Sequence, residues 1–300
     1  MTQSRDMASR PTIGIIGGTG LYEMEWLENA QWVKAASAFG EPSDDLLVGE
    51  YLGQRLVFLP RHGRGHRFLP SHVNYRANIE VLKRAGVTQV IAFSAVGSMR
   101  EELTPGTFVV VDQYIDRTYA REKSFFGDGF AAHVSMADPV CGRMGGALTA
   151  AAARSGVRAV RGGTYVVMEG PQFSTRAESR LYRSWGCDVI GMTNMPEANL
   201  AREAELCYAT VAMVTDYDCW HPHHEDVTTA GILKVLAENV SRARELIKAT
   251  VPLLGAQSGP CGSKCDRALT HAVATARGAR SPEAVKRLSV VAGRILSEGQ

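Results

Sequence analysis

Apolar residues in this chain come in short runs, each cut off by glycine, proline or charge, and two kinds of run alternate. Thr12 to Ile16 is a compact apolar run that stops at Gly17-Gly18-Thr19-Gly20, which predicts a buried strand and a turn. Leu46 to Tyr51 and Arg55 to Leu59 flank Leu52-Gly53-Gln54 and predict a hairpin. Ser71 is placed to cap a helix carrying Val73, Ala77, Ile79, Val81 and Leu82, ending near Gly86. Val90 to Val96 reads as a strand buried on both faces, and Phe108 to Tyr114 as another strand after Pro105-Gly106. The second half repeats the alternation. Gly146 to Arg154, Arg176 to Trp185 and the stretch opened by Pro196 at a first helical position read as helices. Thr164 to Met168, Asp188 to Gly191 and Cys207 to Val214 read as strands. Thr228 to Ala249 carries Ile232, Val235, Leu236, Val240, Leu246 and Ile247 on one side, the mark of a long amphipathic helix. Strands alternating with helices predict an α/β fold: a single domain whose central mixed, largely parallel sheet is flanked by helices on both faces.

Three hundred residues with 45% hydrophobic content suffice for one sizeable core. The expected organisation is a disordered N-terminus at 1–10, a domain at 11–255, and a C-terminal helical appendage at 256–300 beyond Gln257-Ser258-Gly259-Pro260. The appendage shows helical patterns around Asp266 to Ala276 and Pro282 to Ser297. Thirty-three Lys+Arg against 31 Asp+Glu leave a formal charge of +2, which argues against a nucleic-acid partner. No apolar run of about 18 residues is present, so no membrane partner is expected, and the polar first ten residues lack a signal-peptide core. A cytoplasmic protein is the expectation. Cys141, Cys187, Cys207 and Cys219 sit in apolar or helical stretches and read as reduced buried thiols. Cys261 and Cys265 flank a Gly-Ser-Lys turn and could form a local disulfide or half a metal site; without a second pair, reduced thiols and no metal are expected.

The candidate chemistry collects at strand ends, where ligands bind in open parallel sheets. Gly17-Gly18-Thr19-Gly20 can turn backbone N–H groups onto an anion, with the Thr19 hydroxyl as a further donor. It fits neither a dinucleotide fingerprint, since Glu23 stands where the third glycine belongs, nor a Walker loop. Arg61 and His62 follow an apolar strand and Pro60; the first offers a planar fork suited to phosphate, the second a donor or a proton. Ser94 closes a buried strand, and Gly97 lets a ligand approach. Thr19, Arg61, His62 and Ser94 together would form a phosphate cage without a metal. Asp216 and Asp218, two apart after a buried strand, can interact closely enough to share a proton. One protonated and one ionised carboxyl would complement adenine at N7 and N6, although a helix cap or a metal-binding pair remains open on the same spacing. His221, His223 and His224, with Glu225 and Asp226, surround Pro222 and read as an entrance loop or lid rather than a metal site.

With these motifs in view, the chain resembles the trimeric purine nucleoside phosphorylase family, and within it the branch acting on 5′-methylthioadenosine. The resemblance runs from about Thr12 to Leu254 and rests on long motifs. They are Gly14-Ile15-Ile16-Gly17-Gly18-Thr19-Gly20-Leu21, Arg61-His62-Gly63, Asn74-Tyr75-Arg76-Ala77-Asn78, Met168-Glu169-Gly170-Pro171-Gln172-Phe173-Ser174-Thr175, Met192-Thr193-Asn194-Met195-Pro196-Glu197 and Thr215-Asp216-Tyr217-Asp218-Cys219-Trp220. It implies phosphate contacts from Thr19, Arg61, His62, Ser94, Ala95 and Thr193, with Met192 against the ribose and Phe173 stacked near the base. It implies that Asp216 and Asp218 hold the purine, that Asp216 and His62 serve catalysis, and that His133 borders the 5′ pocket of a neighbouring subunit in a homotrimer. Inorganic phosphate is then a co-substrate and no cofactor is expected. In the 6-oxopurine enzymes a glutamate occupies the position of Ser174 and an asparagine that of Asp216, so the residues here favour a 6-aminopurine. Thr229 and Ile232 correspond to the 5′ pocket, where Thr229 is polar for a thioether. The expected reaction is phosphorolysis of 5′-methylthioadenosine to adenine and 5-methylthioribose 1-phosphate, in purine and methionine salvage. A broader activity on adenosine, inosine or methylthioinosine is the alternative.

Overall fold

The computed structural model describes residues 10–18, 20–127, 129–222, 229–257 and 259–297, without the side chains of 229–231. The chain forms one branched, eleven-stranded sheet among the described residues. Its hub is β5 (Val87–Ser98), a twelve-residue strand buried almost throughout. One edge of β5 is taken along most of its length by β11 (Cys207–Asp216), parallel to it, with Cys207 beside Gln89 and Asp216 beside Gly97. The other edge is shared. β1 (Thr12–Gly17) pairs with Val87 to Ala92, and the short β10 (Val189–Gly191) pairs antiparallel with Gly97 and Ser98. Between these partners, the backbone from Phe93 to Val96 has no strand on that side among the described residues. Beyond β1 lie β4 (Gln54–Pro60), β3 (Leu46–Tyr51) and the edge strand β2 (Glu28–Val33). Beyond β10 lie β9 (Thr164–Met168) and β7 (Gln113–Arg117); beyond β11 lie β6 (Phe108–Val110) and β8 (Ala159–Arg161).

Alternating side chains of the central strands supply two cores, one on each face. Ile16, Val57, Leu59, Val90, Ala92 and Val214 pack with α1 (Tyr75–Arg84) and α4 (Glu197–Glu203). Ile13, Ile15, Phe58, Ile91, Val211 and Met213 pack with α2 (Gly142–Ser155) and α5 (Thr229–Gly255). The expected mixed, largely parallel sheet with helices on both faces is therefore the architecture found. Remaining helices are α3 (Arg176–Ser184), held by a capping box between Thr175 and Glu178, and the short α6 (Pro282–Arg287) and α7 (Gly293–Ser297). The segment after Cys261 is knit into the first core through Leu269, Ala272, Leu288, Val291 and Ala292. Among the described residues, no helix is long and apolar enough to cross a membrane.

Local departures from the sequence reading have physical reasons. The run Phe108 to Tyr114 is two strands, because the chain passes from the β11 branch to the β9 branch at Val111-Asp112. β2 escaped notice because all its residues are exposed, leaving no buried face to alternate. Ser71 does not cap α1: Asn74 does, accepting from the Ala77 N–H at 3.1 Å, while the Ser71 hydroxyl is drawn to Glu169. Pro196 precedes α4 instead of sitting inside it.

Candidate active site

The gap in the shared edge of β5 opens into a cavity of about 430 Å³. The ends of β1, β4, β5, β10 and β11 converge on it, so Gly18, Arg61, His62, Ser94 to Gly97, Thr215, Asp216 and Asp218 line one space. A crevice of this size where strand partners diverge is the expected ligand site of an open sheet. Ala95, Thr193, Met192, Phe173 and Ile232 line it as well. Thr19 lies outside the described residues, as do His223, His224, Glu225 and Asp226 and the side chain of Thr229. Ser174 stands behind the wall, its hydroxyl donating to Met168 Sδ at 3.6 Å. His133 is elsewhere, in a second depression with Asn199 and Glu203.

Arg61 is 1% exposed and would be untenable there as a lone cation. Its Nε and one Nη donate to both oxygens of Glu197 at 2.7 and 2.9 Å, and the other Nη donates to the Phe93 carbonyl at 2.8 Å. Burial works against the charge, but the Glu197 carboxylate outweighs it and holds the guanidinium above its ordinary value. Of the five guanidinium N–H groups, three are thereby used among the described residues, and two remain to address a ligand. Glu197 was quoted in the sequence only as part of a motif at a helix start. Its first-turn position in a helix that also buries Ala198, Leu200 and Ala201 was the available signal.

Glu197 also closes a buried hydrogen-bonded circuit. Ser94 shares a hydrogen bond with the Thr193 hydroxyl at 2.7 Å and another with the Tyr165 hydroxyl at 3.1 Å. Thr193 donates to Asn194 Oδ1 at 3.3 Å, and Asn194 Nδ2 donates to the Tyr208 hydroxyl at 2.7 Å. Tyr208 donates to Glu197 Oε1 at 2.8 Å, which returns to Arg61 and the carbonyl preceding Ser94. Asn194 makes the turn at φ 72°, a left-handed conformation that asparagine tolerates. Every member being satisfied, the circuit fixes the positions of the Arg61, Ser94 and Thr193 donors relative to one another.

His62 Nδ1 lies 2.9 Å from the Phe68 carbonyl. A carbonyl only accepts, so Nδ1 carries the proton and Nε2 is the acceptor. The ring stacks on His66, with centroids 4.4 Å apart. Burial first, and the Arg61 charge second, push His62 down to about 3. It is therefore neutral at physiological pH in this state. Of the two roles open to it in the sequence, donor or proton source, the geometry instead presents an acceptor.

Asp216 and Asp218 do not share a proton directly in this arrangement. The Asp216 oxygens accept from the Thr215 hydroxyl at 2.7 Å and from the Asp218 backbone N–H at 2.8 Å. Burial raises the carboxyl of Asp216, with those two hydrogen bonds opposing it. Burial also raises Asp218, assisted by the charge of Asp216 and opposed by the hydroxyls of Ser179 and Ser174. Gly97 makes room for this pair: a Cβ there would stand 2.9 Å from Asp216 Oδ1 and 3.3 Å from the Asp218 nitrogen. Phe173, at 44% exposure, stands at the mouth of the cavity. The Met192 thioether lies against Gly170, where a Cβ would come within 2.5 Å of its sulfur.

Fixed donors at one end of the cavity and two largely enclosed carboxyl groups at the other suit it to an anion and a hydrogen-bonding ligand side by side. The model of the phosphorylase superfamily matches residues 12–252, and the chain belongs to that superfamily. The S-methyl-5′-thioadenosine phosphorylase of Cereibacter sphaeroides is 57% identical over 95% of this chain and 98% of its own length. That of Rhodospirillum rubrum is 55% identical over 96% of this chain and 98% of its own. Among solved structures, a methylthioadenosine phosphorylase from an Antarctic soil metagenomic library superposes with a TM-score of 0.89 at 47% identity, covering 94% of this chain and 99% of its own. The Schistosoma mansoni methylthioadenosine phosphorylase in complex with adenine gives a TM-score of 0.80 at 37% identity, covering 87% and 96%.

Proposed function

We propose that this chain catalyses phosphorolysis of 5′-methylthioadenosine, giving adenine and 5-methylthioribose 1-phosphate. The observation that carries the reading is one cavity holding the Arg61–Ser94–Thr193 donor set at one end and the Asp216–Asp218 pair at the other. Phosphate rests on the two remaining Arg61 N–H groups, on Ser94, Thr193 and Thr19, and on the backbone at Ala95. A protonated phosphate oxygen donates to His62 Nε2, which suits a histidine held neutral. An unprotonated oxygen attacks C1′ as the C1′–N9 bond breaks through an oxocarbenium-like state, and the electron pair of that bond passes to the purine. Asp216, raised by burial, supplies the proton or hydrogen bond that N7 needs as the base leaves. Asp218 accepts from the exocyclic 6-amino group, Phe173 stacks on the base from the mouth, and Met192 lies against the ribose. Inorganic phosphate is a co-substrate, and no cofactor enters this scheme.

Ser174 supports the choice of base, since it offers no carboxylate for the N1–H of a 6-oxopurine. Ile232 and Thr229 would border the 5′ group, with His133 contributed by a neighbouring subunit of a cytoplasmic homotrimer acting in purine and methionine salvage. Omitting phosphate is the decisive assay: base release must fall to background without it. Comparing kcat/KM for methylthioadenosine and inosine tests the base, and Asp218→Asn should narrow that ratio by roughly tenfold or more, as loss of a site's hydrogen-bond complement does. A ratio unchanged by the substitution removes Asp218 from base recognition.

A further inference from the structure

Four cysteines far apart in the sequence meet at one point near the start of β11, at the other end of that strand from Asp216. Cys141 precedes α2, Cys207 opens β11, and Cys261 and Cys265 come from the segment after α5. All four are buried, and their sulfurs lie within 4.8 Å of one another, with Cys141 and Cys261 at 3.6 Å. The second pair, absent from the neighbourhood of Cys261 and Cys265 in the sequence, is thus supplied by the fold.

We propose that these four sulfurs form a tetrahedral structural zinc site. Zinc–thiolate bonds of about 2.3 Å place sulfurs roughly 3.8 Å apart, so the cluster needs only a small contraction to close around an ion. Mutual convergence of all four is what a metal centre requires; two disulfides would need only two close pairs. The Cys261-x-x-x-Cys265 spacing falls within the range of structural zinc turns. The turn itself is tight: the Lys264 N–H donates to the Cys261 carbonyl at 2.8 Å, with Lys264 in the left-handed region at φ 55°.

The charges around the cluster fit as well. Four thiolates and one Zn²⁺ leave two negative charges in a buried place. Two guanidinium groups donate to the sulfurs, Arg143 to Cys207 at 3.5 Å and Arg202 to Cys265 at 3.7 Å. Two positive charges thereby face two negative ones, and donors to the ligating atoms are the usual support of a metal site. Cys141 sits at the N-terminus of the fourteen-residue α2, where the helix dipole favours a thiolate.

The ion would staple the C-terminal segment to α2 and β11. That segment in turn carries the loop of His133: the His133 N–H donates to the Ala272 carbonyl at 2.8 Å, and the Ala274 N–H to the Ala131 carbonyl at 2.9 Å. Zinc in this place is structural, closed by four protein ligands and without an open position for catalysis.

The test is zinc analysis of the full chain, expressed with zinc and purified without chelator. About one zinc per chain is expected, released by a mercurial thiol reagent and read with a zinc indicator. Cys265→Ser should lower the content at least several-fold, whereas Cys187→Ala, a buried thiol outside the cluster, should leave it unchanged. Should Cys265→Ser fail to fold, cobalt loading of the unaltered chain answers the same question, since a tetrathiolate Co²⁺ centre absorbs strongly in the visible. Chelation under mild denaturant should raise hydrogen exchange after Cys261 before it does so in β5. Zinc-free protein with all six thiols titratable after denaturation would overturn the proposal, and so would zinc-free protein with two or four thiols lost to disulfides.

Discussion

Glu197→Gln isolates the part of the site that holds the phosphate end together. The pair it breaks is 1% and 0% exposed, so water cannot take over the lost charge. Removing one partner of a buried ion pair costs about 3–5 kcal/mol, against at most about 1 kcal/mol for an exposed one. A glutamine retains one oxygen for Arg61 but turns an NH₂ toward the second guanidinium donor, and the Tyr208 hydroxyl, which donates to Oε1 at 2.8 Å, must compete for what is left. The expected loss is therefore about 3 kcal/mol or more, measured from urea midpoints at one protein concentration. Phosphate then acts as a diagnostic. At about a hundred times its Kd it should stabilise the unaltered chain by about 2.7 kcal/mol. The increment should be larger in the variant, because the anion supplies the charge that Glu197 no longer provides. A loss below about 1 kcal/mol with an equal phosphate increment would refute the claim that Glu197 compensates a buried Arg61.

The pH dependence of stability follows from His62. Its value falls from an ordinary 6.5 to about 3 in the folded chain, so between these limits the unfolded chain binds the extra proton. Stability should consequently be lost as pH falls from about 6.5 toward 3, with a slope of at most about 1.4 kcal/mol per pH unit from this group. His62→Asn should flatten that slope in urea titrations at successive pH values; an unchanged slope assigns the acid sensitivity to other groups. Asp216 has the opposite sign, because a raised carboxyl contributes stability that is lost as pH rises through its folded value, so Asp216→Asn should flatten the fall on that side. Gly97→Ala places a methyl 2.9 Å from Asp216 Oδ1 and 3.1 Å from Ile190 Cγ2, an overpacking that costs roughly 1–3 kcal/mol. Its signature should be a drop in kcat with the phosphate KM little changed, and equal losses in both would mean the whole cavity had shifted.

Much of this molecule could be read from its sequence because its central strands are buried on both faces and end in glycine, arginine or aspartate. Largely apolar runs such as Val90 to Val96, interrupted only by Ser94, suit a sheet interior, and the charged or flexible residues at their ends had to lie at its rim. The run Phe108 to Tyr114 was legible as extended chain but not as two strands, since nothing local tells a strand that the sheet branches beside it. Asp216 and Asp218 were placed correctly at one rim, while their engagement with Thr215 and with the backbone depends on a left-handed turn at Asp218, φ 51°, that the spacing does not reveal.

Glu197 and the cysteine cluster eluded the sequence for the same reason: both are defined by partners distant along the chain. Arg61 reaches Glu197 across 136 residues, and Cys141 reaches Cys261 across 120. A residue that will neutralise a buried cation differs in no local respect from one that favours a helix N-terminus, and Glu197 does both. The branching of β5 explains why such distant pieces are needed. With β1 on the first part of its edge and β10 on the last, the intervening backbone could not be satisfied by another strand without filling the cavity. Arg61 takes the Phe93 carbonyl instead, and doing so draws its guanidinium into the gap, where Glu197 must follow. The same defect in strand pairing thus creates the space for a ligand, recruits the cation that addresses it, and requires the carboxylate that holds the cation still.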